Sequence, residues 1–103
     1  MSMNRNQFLL LSVAAAFALG ACAPKLIVRH EDPTHLVAQL SVDGQSTGFL
    51  ENGRTLTMRV RRGYHTVNAV PRGGDGTNPW SDDGEAWTFY VDRKAEITLL
   101  PVQ

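Results

Sequence analysis

Arg54-Thr55-Leu56-Thr57-Met58-Arg59-Val60-Arg61 alternates apolar and polar side chains from Thr55 onward. Leu56, Met58 and Val60 share one face, and Thr55, Thr57, Arg59 and Arg61 share the other. A period of two belongs to a strand with one buried and one wet face. Working upstream, Asn52-Gly53 is a turn signal and Gln45 to Leu50 reads as a strand. Asp43-Gly44 suits the positive φ angles of a tight hairpin turn. Before it, Leu36, Ala38, Leu40 and Val42 alternate onto one face. Glu31-Asp32-Pro33-Thr34 breaks the chain, and Lys25-Leu26-Ile27-Val28-Arg29-His30 is a short β-rich run. Downstream, Arg62-Gly63 turns into a strand from Tyr64 to Val70. Pro71 to Gly84 is a long loop. Glu85 to Val91 presents Trp87, Phe89 and Val91 on one face, Asp92-Arg93-Lys94 turns, and Ala95 to Val102 closes the fold. No stretch after Cys22 keeps a helical period. The pattern predicts an all-β domain, a small antiparallel β-sandwich of six to seven strands.

Composition narrows the functions available. The chain has 103 residues, 10 basic and 10 acidic side chains, 43% hydrophobic and 19% charged residues. That is a globular composition with room for one compact domain. Zero net charge gives no positive field to gather phosphates, so nucleic acid is not an expected partner. Cys22 is the only cysteine, so an internal disulfide is impossible.

The first 21 residues read as an address. Arg5 is followed by Phe8 to Ala18, an apolar run of 11 residues with one serine. A bilayer span needs about 20 apolar residues, whereas a signal-peptide core is this short. Leu19-Gly20-Ala21-Cys22 then resembles the lipobox of bacterial lipoproteins. The resemblance implies a helical signal peptide over residues 1–21, cleavage at Leu19-Gly20-Ala21, and a diacylglycerol on the Cys22 thiol. With Ala23 rather than Asp after the cysteine, it also implies the outer membrane of a Gram-negative bacterium. The alternative is an ordinary secretory leader cut near Ala21, which leaves a free thiol. Cleavage before Cys22 leaves 82 residues with nine basic and ten acidic side chains. Residues 22–25 form a tether of about 10 Å when extended, and residues 26–103 form the domain.

Val42-Asp43-Gly44-Gln45, Thr47-Gly48, Leu56 and Arg62-Gly63-Tyr64-His65-Thr66-Val67 together resemble a PEGA domain over about Leu36 to Leu100. The chain departs from that pattern at Gly48-Phe49-Leu50-Glu51, where such domains carry a proline. The resemblance implies an extracytoplasmic binding or structural module of the β-sandwich class, with no shared catalytic activity.

The residues themselves offer little chemistry. His30-Glu31-Asp32-Pro33-Thr34-His35 begins like a zinc motif, but the second histidine is one residue late and Pro33 forbids the helix. Both are expected as exposed strand-end histidines, and no metal is expected. His65 is expected packed and hydrogen-bonded rather than as a base. No G-x-S-x-G nucleophile motif is present, and the chain is not expected to be an enzyme or to need a cofactor. Asp75, Asn78, Asp82, Asp83 and Glu85 offer calcium-type oxygens without EF-hand spacing, and a solvated acidic loop is the plainer reading. Trp80 either anchors a partner or caps one end of the fold, and with Tyr90 it would make a stacking platform for sugars. Arg54, Arg59, Arg61 and Arg62 form a wet basic face that suits anionic headgroups or an acidic partner. The expected role is a lipid-anchored structural or accessory subunit that binds another envelope protein through Trp80, Tyr90, Arg59 and Arg61. The alternative is a glycan-binding module.

Overall fold

The computed structural model describes residues 23–102, all strand, turn and loop. The expected signal peptide, the expected cleavage residues Leu19, Gly20 and Ala21, and Cys22, the expected lipidation site, lie outside the described residues. Seven strands form in order: β1 (Lys25–His30), β2 (Val37–Val42), β3 (Gln45–Glu51), β4 (Thr55–Arg59), β5 (Gly63–Pro71), β6 (Trp87–Val91) and β7 (Lys94–Leu99). They make a three-stranded sheet, β4-β1-β7, and a four-stranded sheet, β3-β2-β5-β6.

One core joins the two sheets. Leu26, Val28 and Leu99 come from the smaller sheet, and Ala38, Leu40, Val42, Leu50, Val67, Ala69 and Val91 from the larger. Each set follows the two-residue period, so the alternation seen in sequence is what aims these side chains inward. Leu56, Met58, Trp87, Phe89, Ala95 and Ile97 pack at the margin of the same core.

The sheets are not wholly antiparallel. β1 pairs antiparallel with β4 but parallel with β7, Val28 lying between Leu56 and Ile97. The first and last strands run side by side because β6 hands the chain to the other sheet through Asp92 and Arg93. Parallel pairing needs such a crossover, which local alternation does not encode.

Two turns divide the work. Asp43 takes φ 52° and Gly44 takes φ 81°, the hairpin conformation expected between β2 and β3. Gly53, at φ 88°, belongs to a different turn. Its Asn52-Gly53 pair does not close a hairpin but carries the chain from β3 to β4 in the other sheet, and the Arg54 amide donates to the Glu51 carbonyl at 3.0 Å. Thr47 is left unpaired where the β2–β3 register shifts, with Leu40 opposite Gly48 and Ser41 opposite Ser46. Its hydroxyl donates to the Leu40 carbonyl, which closes the bulge.

Strand ends differ from the alternation at three points. Leu36 precedes β2 and is 67% exposed, because the chain is still leaving a turn in which the His35 amide donates to the Asp32 carbonyl. Val60 is buried but follows β4, and its amide donates to the Pro24 carbonyl. Pro101 and Val102 extend beyond β7.

β1 defines an axis. At its start the Lys25 amide donates to the Arg93 carbonyl; at its end the His30 amide donates to the Arg54 carbonyl. The end of the domain at Lys25 is called the tether end below, and the end at His30 the distal end.

Candidate functional site

The distal end is built on a buried carboxylate. Asp32 is fully buried. Its Oδ1 accepts the Thr34 amide at 2.9 Å and the Thr34 hydroxyl at 2.5 Å. Its Oδ2 accepts from the His35 Nδ1 at 2.9 Å and from the Trp80 indole N–H at 3.0 Å. Burial opposes the charge, but the Thr34 hydroxyl, the His35 ring, the Thr34 amide and the Trp80 indole outweigh it. They hold the Asp32 carboxyl far below the usual carboxylate range.

Trp80 is therefore a cap. It lies edge-to-face with His30 at 5.8 Å and with His35 at 5.5 Å between centroids, and packs against the core. His30 is fully buried, not the exposed strand-end residue expected. Its Nδ1 accepts the Asp32 amide at 3.2 Å, so its proton sits on Nε2, which has no hydrogen-bond partner among the described residues.

The long loop is organised by its own polar side chains. Asn78 is buried; its side-chain oxygen accepts the Trp80 backbone N–H and its Nδ2 donates to the Glu85 carbonyl. Asp75 accepts both the amide and the hydroxyl of Thr77, and Asp83 accepts the Glu85 amide and the Ser81 hydroxyl. The Thr77 hydroxyl and the Glu85 amide respectively lead in keeping these two carboxyls below their usual range. Of the oxygens that looked like calcium ligands, those of Asp75, Asn78 and Asp83 hold turns. Among the described residues no three His, Cys, Asp or Glu side chains group as a metal site.

Above this cap lies an open groove. One depression of about 490 Å³ is lined by His35, Pro71, Arg72, Gly73, Asp75 and Pro79 among others. A second shares His35, Pro71 and Arg72 and extends to Leu36 and Val37. The Arg72 guanidinium stands 5.1 Å over the Phe49 ring, and Phe49 is 58% exposed. Leu36, Arg72 and Phe49 thus make a continuous apolar and cationic surface, which neither periodicity nor motif signalled.

The tether end collects the other residues singled out in the sequence. Arg59 pairs with Lys25, and Lys25 with Lys94, one row across three strands. The Arg59 Nη1 donates to the Ala23 carbonyl at 2.8 Å. Arg61 and Arg62 follow Val60, which is bonded to Pro24. On the larger sheet, Tyr90 pairs with Tyr64, edge-to-face at 5.2 Å. Arg59, Arg61 and Tyr90 are therefore neighbours of the tether, while Trp80 belongs to the other end. Trp80 and Tyr90 form no shared stacking platform.

No family model, curated protein or solved structure matches this chain.

His65 is packed and hydrogen-bonded, as expected. Its Nδ1 meets the Asp43 Oδ2 at 2.7 Å and its Nε2 meets the Arg61 carbonyl at 2.6 Å. Asp43 also accepts the Thr66 amide. Both ring nitrogens face acceptors, so the doubly protonated ring fits best. The Arg61 carbonyl raises the His65 pKa above its ordinary value, burial opposes it, and Asp43 adds to the rise. The Thr66 amide and then His65 lower that of Asp43. With both nitrogens engaged, His65 has no lone pair to act as a base. The sequence had shown Asp43 only as a turn residue.

Proposed function

We propose that this chain is a lipid-anchored, non-enzymatic module of a bacterial envelope that docks another envelope protein at its distal groove. One observation carries the reading: the residue at which the chain enters the domain, Lys25, and the groove beside Arg72 lie at opposite ends of β1. A lipid on Cys22, one residue before Ala23, whose carbonyl Arg59 holds, would keep one end at the membrane and present the other to the periplasm. Leu36 and Phe49 provide exposed apolar area there, and the Arg72 guanidinium between them is a residue type favoured in protein interfaces.

Support for a PEGA-like β-sandwich comes from the hydrogen bond between Asp43 and His65, the acidic and imidazole residues of the quoted pattern. Two sheets on one core support the sandwich part of that reading. The glycan reading has less to stand on, since Trp80 is flanked by two histidines and its N–H is used by Asp32.

A photo-crosslinker at Leu36 or Phe49, in cells making the wild-type lipoprotein, tests the reading. The expected result is one envelope protein captured from both positions and lost on Arg72→Glu. No adduct from either position, with the protein present and folded, overturns it. Intact mass of the same sample reports acylation of Cys22.

A further inference from the structure

Charge is sorted along β1. At the tether end stand Lys25, Arg59, Arg61, Arg62, Arg93 and Lys94, with Asp43, Asp92 and Glu96 the acidic residues beside them. At the distal end stand Glu31, Asp32, Glu51, Asp75, Asp82, Asp83 and Glu85, with Arg54 and Arg72 the basic ones. A chain of almost zero net charge is therefore bipolar.

The basic end is also unusual in its detail. Arg59, Lys25 and Lys94 occupy one cross-strand row. Like charges directly opposite each other destabilise a sheet, so such a row asks for an anionic counterpart. Lys25, at the centre of the row, has no side-chain ion pair among the described residues. Lys94 pairs with Glu96 at 3.1 Å and Arg62 with Asp92 at 3.0 Å; the Arg59 guanidinium donates to the Ala23 carbonyl. The His65 ring holds the Arg61 carbonyl, which fixes the segment that carries Arg61 and Arg62. Tyr64 and Tyr90 stand beside this end, 75% and 53% exposed. Exposed tyrosines next to cations are the composition of a membrane–water boundary.

We propose that the tether end is a membrane-docking face: Lys25, Arg59, Arg61, Arg62, Arg93 and Lys94 lie on anionic phospholipid headgroups, with Tyr64 and Tyr90 at the interface. The choice of a bilayer as occupant rests partly on the anchored reading of Cys22, because the polypeptide leaves the domain through the centre of this face. Ala23 is bonded to Arg59 and Pro24 to Val60, so only Cys22 would remain to separate the face from the lipid. Each basic residue near an anionic surface contributes about fivefold to binding. The acidic distal end is repelled by the same surface, so docking sets which way the groove points.

The test uses the mature protein as cells make it, reconstituted into vesicles of phosphatidylcholine with or without phosphatidylglycerol. Nitroxide labels go on Tyr64→Cys and, separately, on Asp82→Cys. Relaxation by lipid-soluble oxygen is compared with relaxation by a water-soluble nickel chelate. On phosphatidylglycerol vesicles the oxygen-to-nickel ratio at position 64 should exceed that at position 82 several-fold. It should return to the position 82 value in the Arg61→Glu/Arg93→Glu double variant, whose circular dichroism confirms folding. Equal ratios at the two positions overturn the proposal, as does an equal rise on phosphatidylcholine alone. A position 64 shielded from both reagents also overturns it and assigns the face to a protein. Intact mass separates the two readings. If Cys22 is unmodified, the same chain is floated on the same vesicles without an anchor. Retention by phosphatidylglycerol that weakens at least about 20-fold in the double variant sustains the face by itself, and no retention overturns it.

Discussion

The Asp43 carboxylate lies 2.7 Å from the His65 ring, joining the β2–β3 hairpin to the start of β5. With the Arg61 carbonyl on the other nitrogen, this ion pair spans the hairpin, a strand and the β4–β5 connection. It ties the fold to pH in both directions.

The His65 pKa is raised in the fold, so its contribution is full below the unfolded value of about 6.5 and is lost as pH rises through the folded value. Asp43 is lowered, so its contribution is present above about 4 and is lost as pH falls. Thermal unfolding followed across pH should therefore give the highest Tm between about 4 and 6.5. His65→Gln should flatten the alkaline limb and shrink the acid limb without abolishing it, because the Thr66 amide still lowers Asp43; an unchanged alkaline limb would reject the assignment.

Asp32→Asn replaces an acceptor of four hydrogen bonds by a group that presents two N–H donors to other donors. The expected loss is about 3 kcal/mol in urea unfolding. Asp32 has the deeper acid dependence, because its folded pKa lies far below the unfolded one: its contribution is present above about 4 and declines below it. The variant should lose most of the difference from wild type in strong acid.

Trp80 has two roles in one side chain. Trp80→Phe should keep the cap and lose the bond to Asp32, for about 1 kcal/mol. Trp80→Ala should lose the cap as well, for about 3 kcal/mol. Equal, negligible losses would make Trp80 a surface residue after all.

Gly53→Ala places a Cβ at φ 88° in open space. Nothing crowds it, so the cost is backbone strain alone, about 1 kcal/mol. Calorimetry should show it as a lower Tm with the groove unchanged.

The strands were legible wherever one face is buried. Leu26 and Val28, Ala38 to Val42, and Leu56 and Met58 announce their faces by period alone. What the period lacks is the destination of each connection. Asn52-Gly53 has the same composition as a hairpin turn but leaves the sheet, and nothing near Lys94 says that it will run parallel to Lys25. The distal groove was hidden for a similar reason. Leu36 reads as the first apolar residue of β2, and only the Asp32 turn puts it outside. Asp32 itself sits in a run that reads as a polar break, and its burial depends on Trp80, 48 residues away.

The parallel pairing of β1 with β7 has a mechanical consequence. β1 is the central strand of its sheet, bonded to β4 on one flank and to β7 on the other. A pull on the chain at Ala23, resisted by a partner held at the distal end, runs along β1. Both ladders are then loaded in shear, so their bonds must give way together and not one after another from a free edge. Under the proposed anchoring, β1 is in this way the strand best placed to carry load between the chain ahead of Ala23 and a partner at the distal end.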